Sequence, residues 1–344
     1  LITFANHTLI FNAMQISKST IILLLFSLFS FSVYALPQYD IVVAADGSGQ
    51  YKTIQQAIDA VPNNKGQKTI IFVKKGVYTE KVIVPSSKTN ITLLGEDVQN
   101  TIVTWNDYTG KVVGQDTVTT WSSATFTVDA EGFVAENITF ENSAGRVGQA
   151  VAVRVIADMV MFRNCRFLGN QDTLFAHGIG RIYFKDCYIE GTTDFIFGSA
   201  IALFETCTIH NKTNSYITAA STPMGNAYGY VFDHCKLTAD TSVKKVFLGR
   251  PWRAYAKTVY LYCEMGAHIR AEGWDNWRST DKEKTTFYAE YKNTGPGANP
   301  AARVPWSKQL ADTVAANYTM EKIFARSSVP VPVPMLRSWM PGKE

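Results

Sequence analysis

The chain has 344 residues, 46% hydrophobic and 18% charged, with a formal net charge of +4. This is an ordinary globular composition, long enough for two domains or for one repeat array. So mild a positive balance suits an acidic polysaccharide as partner but is far too weak to argue for nucleic acid.

Residues 1–35 read as a leader outside the fold. Lys18 precedes the apolar run Ile21–Phe31, and Val33-Tyr34-Ala35 offers the small residues a signal peptidase reads. The natural start is expected at Met14. The run falls short of the roughly 20 residues that a spanning helix needs, so cleavage is preferred to a membrane anchor. The expectation is export, to the outside or to a periplasm, with no membrane attachment once the leader is removed. Loss of Lys18, the only charge of the leader, takes the net charge from +4 to +3.

Tyr39–Ala44 alternates weakly and reads as a strand, ended by Asp46-Gly47-Ser48-Gly49. Thr53 to Gln56 forms a capping box, and Ile54, Ala57, Ile58 and Val61 keep helical spacing up to Pro62. This short helix is expected to seal the open end of a solenoid. From Thr69 onward come short β-rich segments between turn residues. One phrase recurs: Phe162-x-x-Cys165, Phe184-x-x-Cys187, Phe204-x-x-Cys207, Phe232-x-x-Cys235 and Tyr260-x-x-Cys263, at intervals of 22, 20, 28 and 28. A right-handed parallel β-helix explains one strand-bearing phrase per coil, stacked Phe and Ile, and the lack of long helices. The domain is expected over 36–325. Within it Ser307 to Tyr318 has a helical pattern through Leu310 and Val314, and 326–344 is a proline-rich extended tail.

The 22-residue interval also relates Asp172 to Asp194 and Gln149 to Gln171, with Thr193 next in that series. Equal positions on adjacent coils lie about 4.8 Å apart. Two carboxylates at that distance repel by roughly 3 kcal/mol at an effective dielectric of ~20, so one holds a proton while the other stays ionised. A neutral acid beside a carboxylate supplies a general acid and a nucleophile; the competing reading is two turn-capping aspartates. Gln149 and Gln171 suit oxyanion donors or a structural amide ladder, and spacing does not separate the two. Arg250 suits a carboxylate clamp or a plain surface residue, and Trp252 a sugar-stacking or a core residue. The five cysteines all occupy one site of the repeat. Cys187 and Cys207 are the disulfide candidate, against a ladder of buried free thiols. Zinc is disfavoured by the lack of CxxC and of clustered histidines, and a serine triad has no GxSxG anchor.

Several motifs together resemble the pectin methylesterases: Gly76-Val77-Tyr78-Thr79-Glu80, Gln149-Ala150-Val151-Ala152, Gln171-Asp172-Thr173-Leu174, Asp194-Phe195-Ile196-Phe197-Gly198 and Leu248-Gly249-Arg250-Pro251-Trp252. Thr119 to Thr125, Glu272 to Trp277 and Tyr291 to Gly295 add to the likeness, which spans about residues 40 to 325. The resemblance implies a parallel β-helix that removes methyl groups from esterified homogalacturonan (pectin), as a monomer and without metal or cofactor. Carried over motif by motif, it makes Asp194 the nucleophile and Asp172 the general acid and base. Gln149 and Gln171 become oxyanion donors, and Arg250 the group that orients Asp194. It implies substrate contacts at Thr120, Phe175, Phe197, Trp252 and Trp274. Phe175 stands where many plant members have Tyr, and Trp121 replaces the usual Phe. The fold is expected to begin directly after the leader, without a long pro-region, which points to a microbial type. Two rivals remain: a thioesterase-like relative on the same scaffold, and a non-catalytic polysaccharide-binding β-helix. A pectate lyase is disfavoured, because its calcium-binding acidic cluster has no evident counterpart in this sequence.

Overall fold

The computed structural model describes residues 39–325; the leader and the proline-rich tail fall outside the described residues. Almost all its strands run parallel, in three sheets of eleven, eight and seven strands, each strand pairing with its counterparts one coil earlier and later. One full coil therefore carries three strands: Arg181–Lys185 in the first sheet, Tyr188–Gly191 in the second and Ile196–Gly198 in the third. The sequence pointed to a single strand per phrase. The other two are too short, at three to four residues, to show alternation of their own.

The register reproduces the repeat. Phe162 pairs with Phe184, Phe184 with Phe204, Phe204 with Phe232 and Phe232 with Tyr260. Their rings stack along the core at 5.3, 4.6, 4.5 and 4.4 Å. After seven of the eleven first-sheet strands the chain turns through one left-handed residue: Asn137, Asn164, Asp186, Thr206, His234, Tyr262 and Lys292 all have φ between 47° and 57°. That single residue rotates the strand direction into the second sheet, and in five of the seven coils the next residue is an inward, buried cysteine.

All five cysteines are free and buried, so the expected Cys187–Cys207 disulfide is corrected. Side chains stacked in parallel register keep their Cβ atoms near the strand spacing of about 4.8 Å, beyond the ~3.5–4.5 Å that a disulfide spans. Each thiol donates instead to a carbonyl of the preceding coil, Cys187 to Phe162 at 3.5 Å and Cys207 to Phe184 at 3.5 Å. Burial pushes the Cys187 and Cys235 thiols well up, which keeps them as small apolar groups.

The helix α1 (Ile54–Ala60) forms where the capping box placed it. Thr53 Oγ1 accepts from the Gln56 N–H at 3.2 Å, and Ile54, Ala57 and Ile58 are buried. Glu80 accepts from the free N–H groups of Ile54 and Gln55. The helix expected from Ser307 to Tyr318 is corrected. Lys308–Gln309 joins the first sheet as a strand, and only Asp312–Ala315 is helical, followed by a second short helix at Met320–Phe324. The Leu310 N–H is drawn onto Glu290 O at 2.9 Å, so ladder pairing overrides the local helical pattern there. Ile323 and Phe324 pack on Met161, Tyr183 and Leu203, covering the outer face of the first sheet.

Candidate active site

The outer face of the third sheet presents one residue per coil in register: Thr127, Arg154, Phe175, Phe197, Ala219 and Arg250. Phe175, Phe197, Ala219 and Arg250 of this row floor a cleft of about 520 Å³. Asp172 and Asp194 sit at the corner leading into that sheet, each three residues before the phenylalanine of its coil. Both adopt left-handed backbone, φ 65° and 48°, a conformation asparagine and aspartate tolerate better than most residues. The turn is held by Thr173 Oγ1, which donates to Asn170 O and Glu190 O. Backbone ladders continue through both corners, with Asp172 N–H on Thr193 O at 3.1 Å and Asp194 N–H on Tyr216 O at 2.9 Å. Gly198 closes the DFIFG segment at φ 121°. A Cβ there would lie 2.2 Å from Ala176 O, so only glycine fits.

Gln149 and Gln171 form a parallel bridge on adjacent coils, and both side chains line the cleft beside Asp172 and Asp194. Thr120, Phe175, Phe197 and Trp252 line it as well. Phe175 and Phe197 stack at 4.2 Å, and the Trp252 ring stands 6.5 and 6.1 Å from them. Trp274 does not reach the cleft. It is 1% exposed, with its ring 4.4 Å from Tyr288 and 5.8 Å from Tyr260. Its bridge to Gly249 turns it into the core, and three residues later Trp277, with φ 56°, lines the cleft instead. The Glu272 to Trp277 motif contains both tryptophans, and nothing in the string separates the inward from the outward one.

Arg250 grips both oxygens of Asp194 with one edge of its guanidinium, Nε to Oδ1 at 3.0 Å and Nη2 to Oδ2 at 2.7 Å. Its plane lies between two rings, 3.9 Å from Tyr216 and 3.8 Å from Trp277. Such a sandwich removes the freedom that would let the fork rotate away. Tyr216 and Trp277 are thus parts of the site that spacing did not find. Among the described residues no guanidinium or ammonium pairs with Asp172, and the two carboxyls are therefore unequal. Burial, and then the neighbouring charge of Asp194, push the Asp172 carboxyl up to about 8 against the pull of Arg250. Burial pushes Asp194 up too, and Asp275 adds to it, while the hydrogen bonds and charge of Arg250 oppose the shift. Near neutral pH the pair holds one proton, on Asp172.

The family model described as Pectinesterase matches residues 40–327. The chain belongs to the pectinesterase family. Its similarity to Pectinesterase 31 of Arabidopsis thaliana is 44% identity over 283 residues, 80% of this chain and 89% of that relative. A pectin methylesterase from carrot superposes with a TM-score of 0.79 at 36% identity, over 86% of this chain and 95% of that one. A pectin methylesterase solved in complex with hexasaccharide VII gives 0.74 at 29% identity, over 86% of this chain and 100% of the other. The parallel β-helix expected from the repeat is thus the pectinesterase fold. The expected microbial type draws no support from a plant pectinesterase matched over 89% of its length.

Proposed function

We propose that this pectinesterase demethylates methyl-esterified homogalacturonan by a covalent route through Asp194. The ionised Asp194 carboxylate attacks the ester carbonyl carbon. The side-chain N–H groups of Gln149 and Gln171 receive the oxyanion of the tetrahedral adduct. As the adduct collapses, the carbon–methoxy bond breaks and the Asp172 proton passes to the methoxy oxygen, releasing methanol. The product on the enzyme is a mixed anhydride between Asp194 and the galacturonate. Asp172, now a carboxylate, takes a proton from water, and the hydroxide opens the anhydride. The galacturonic acid formed gives up its proton to solvent and leaves as the carboxylate, so that Asp194 is again ionised and Asp172 again protonated.

The observation that carries this reading is the asymmetry of the pair: a bidentate Arg250 on Asp194 and, among the described residues, no cationic partner on Asp172. Arg250 keeps the nucleophile charged and aimed, and burial keeps the acid protonated. The aromatic surface of Phe175, Phe197 and Trp252 offers the apolar faces on which pyranose rings pack. The reading includes export as a monomer acting on pectin outside the cytoplasm. Among the described residues no helix is long and apolar enough to cross a membrane.

Methanol release from highly esterified pectin tests the reading. The unmodified protein is expected to release methanol and Asp194→Ala is not. Undiminished release by the variant would sink the covalent route. No release by the unmodified protein, with cleavage of acyl thioesters in its place, would favour the thioesterase-like alternative, and neither activity would favour a binding module.

A further inference from the structure

One charged side chain of the outward row, behind the lining of the cleft, has no part in the chemistry above. Arg154 occupies the outward row between Thr127 and Phe175, yet it is only 7% exposed. A guanidinium so buried is costly unless it is paired and hydrogen-bonded. Two of its contacts fall on a single residue of a neighbouring loop. Nη1 donates to the Trp121 carbonyl at 2.8 Å, and the guanidinium carbon lies 4.1 Å from the centroid of the Trp121 ring. Asp129 balances the charge at 3.7 Å from Nη2. Backbone and ring of Trp121 thus both close over Arg154.

Trp121 is 44% exposed and lines the cleft. An indole so exposed on a loop has little packing of its own to fix its orientation; here Arg154 holds one side of it, and Phe175 and His177 stand edge-on at 5.8 and 6.0 Å. The loop between Trp105 and Ala124 has further duties. Thr109 N–H donates to Gln149 O at 2.9 Å, and Thr109 Oγ1 lies 2.9 Å from Thr120 Oγ1. Lys81 fastens the same loop through Ser122 O at 2.6 Å.

We propose that Arg154 is a positioning residue that clamps Trp121 as an aromatic end wall of the cleft, where the indole packs against a sugar ring of the pectin chain beside the ester under attack. The assignment rests on the reading that pectin occupies this cleft. It gives Arg154 a role in holding substrate and none in the proton or acyl transfers.

Arg154→Lys keeps the charge opposite Asp129 but loses the planar stack on the indole and the Nη1 hydrogen bond to the Trp121 carbonyl. Its KM for esterified pectin is expected to rise roughly five- to tenfold with kcat within about twofold. Trp121→Ala is expected to match that rise, and adding Arg154→Lys to it to change KM no further. The emission of Trp121, taken as the difference between each protein and its Trp121→Phe counterpart, is expected to shift to the red in Arg154→Lys without substrate, as the indole meets water. A KM unchanged in Trp121→Ala, a kcat that falls at constant KM in Arg154→Lys, or an unshifted emission overturns the assignment. If Arg154→Lys does not fold, the KM of Trp121→Ala, altered at an exposed site, decides alone. If the unmodified protein releases no methanol, the ester-hydrolase reading fails, while the emission shift still judges the clamp.

Discussion

At the corner between the first and second sheets the chain repeats itself. Phe162, Phe184, Phe204 and Phe232 stack coil upon coil, and each is followed by a left-handed residue and an inward cysteine. At the corner between the second and third sheets the same winding sets Asp172 beside Asp194 and Gln149 beside Gln171, and there the repetition ends. A stack of identical apolar groups is self-consistent, because each member buries its faces on the next. A stack of identical charges is not, since neighbours one strand spacing apart repel by roughly 3 kcal/mol. Two aspartates persist in such a stack because Arg250 neutralises one and a proton neutralises the other. In this solenoid, repeated identity marks the core, and repeated identity that costs energy marks the site.

Substitutions that separate the two corners sharpen the contrast. Asp194→Ala is expected to lower kcat for methanol release by at least about 10³-fold, with the chemical-denaturation midpoint not lowered, since a buried carboxylate is removed. Phe184→Ala is expected to do the reverse. It opens a cavity in the aromatic stack and costs about 3–5 kcal/mol in denaturant titrations, while the folded fraction retains its kcat. Gln171→Leu removes one oxyanion donor, with an expected loss of about 10²-fold in kcat and little change in KM. A loss seen equally in binding would return the glutamines to a structural amide ladder.

The pH dependence has a definite sign. Because the folded-state Asp172 is raised from 3.8 to about 8, the folded protein binds more protons than the unfolded chain between those values. Stability contributed at this site therefore falls as pH rises through that window and is level outside it. Compared with Asp172→Asn, the unmodified protein is expected to lose ground steadily from about pH 4 to about pH 8, read as the difference between their denaturation midpoints. Methanol release should decline above about pH 8 as the general acid loses its proton. The smallest effect belongs to the cysteine ladder. Cys187→Ala is expected to cost about 1 kcal/mol or less, and reducing agent is expected to leave the melting temperature unchanged; a drop on reduction would restore the disulfide.

Much of this arrangement was legible from spacing, because a parallel register converts a constant interval into a contact. The aspartate pair, the glutamine pair and the Phe ladder all follow from intervals of 20 to 28 residues. What spacing leaves out is direction. It does not tell Trp274 from Trp277, since which of two nearby indoles turns outward depends on left-handed residues such as Trp277 itself. It gave no sign of Tyr216 and Trp277 on either face of Arg250, because they come from different coils and form no repeat. It favoured a helix from Ser307 to Tyr318 whose first residues are claimed by the edge of the first sheet. Neighbouring cysteines suggested a bond that the strand spacing itself prevents.

The central claim is that the two carboxyls share one proton and that Asp172 holds it. Infrared difference titration of the carboxyl band tests it directly. At pH 7 the account predicts a protonated-carboxyl band in the unmodified protein that disappears in Asp172→Asn and remains on replacing Phe184 by Leu. A band absent from the unmodified protein at pH 7, or one unaffected by Asp172→Asn, would contradict it.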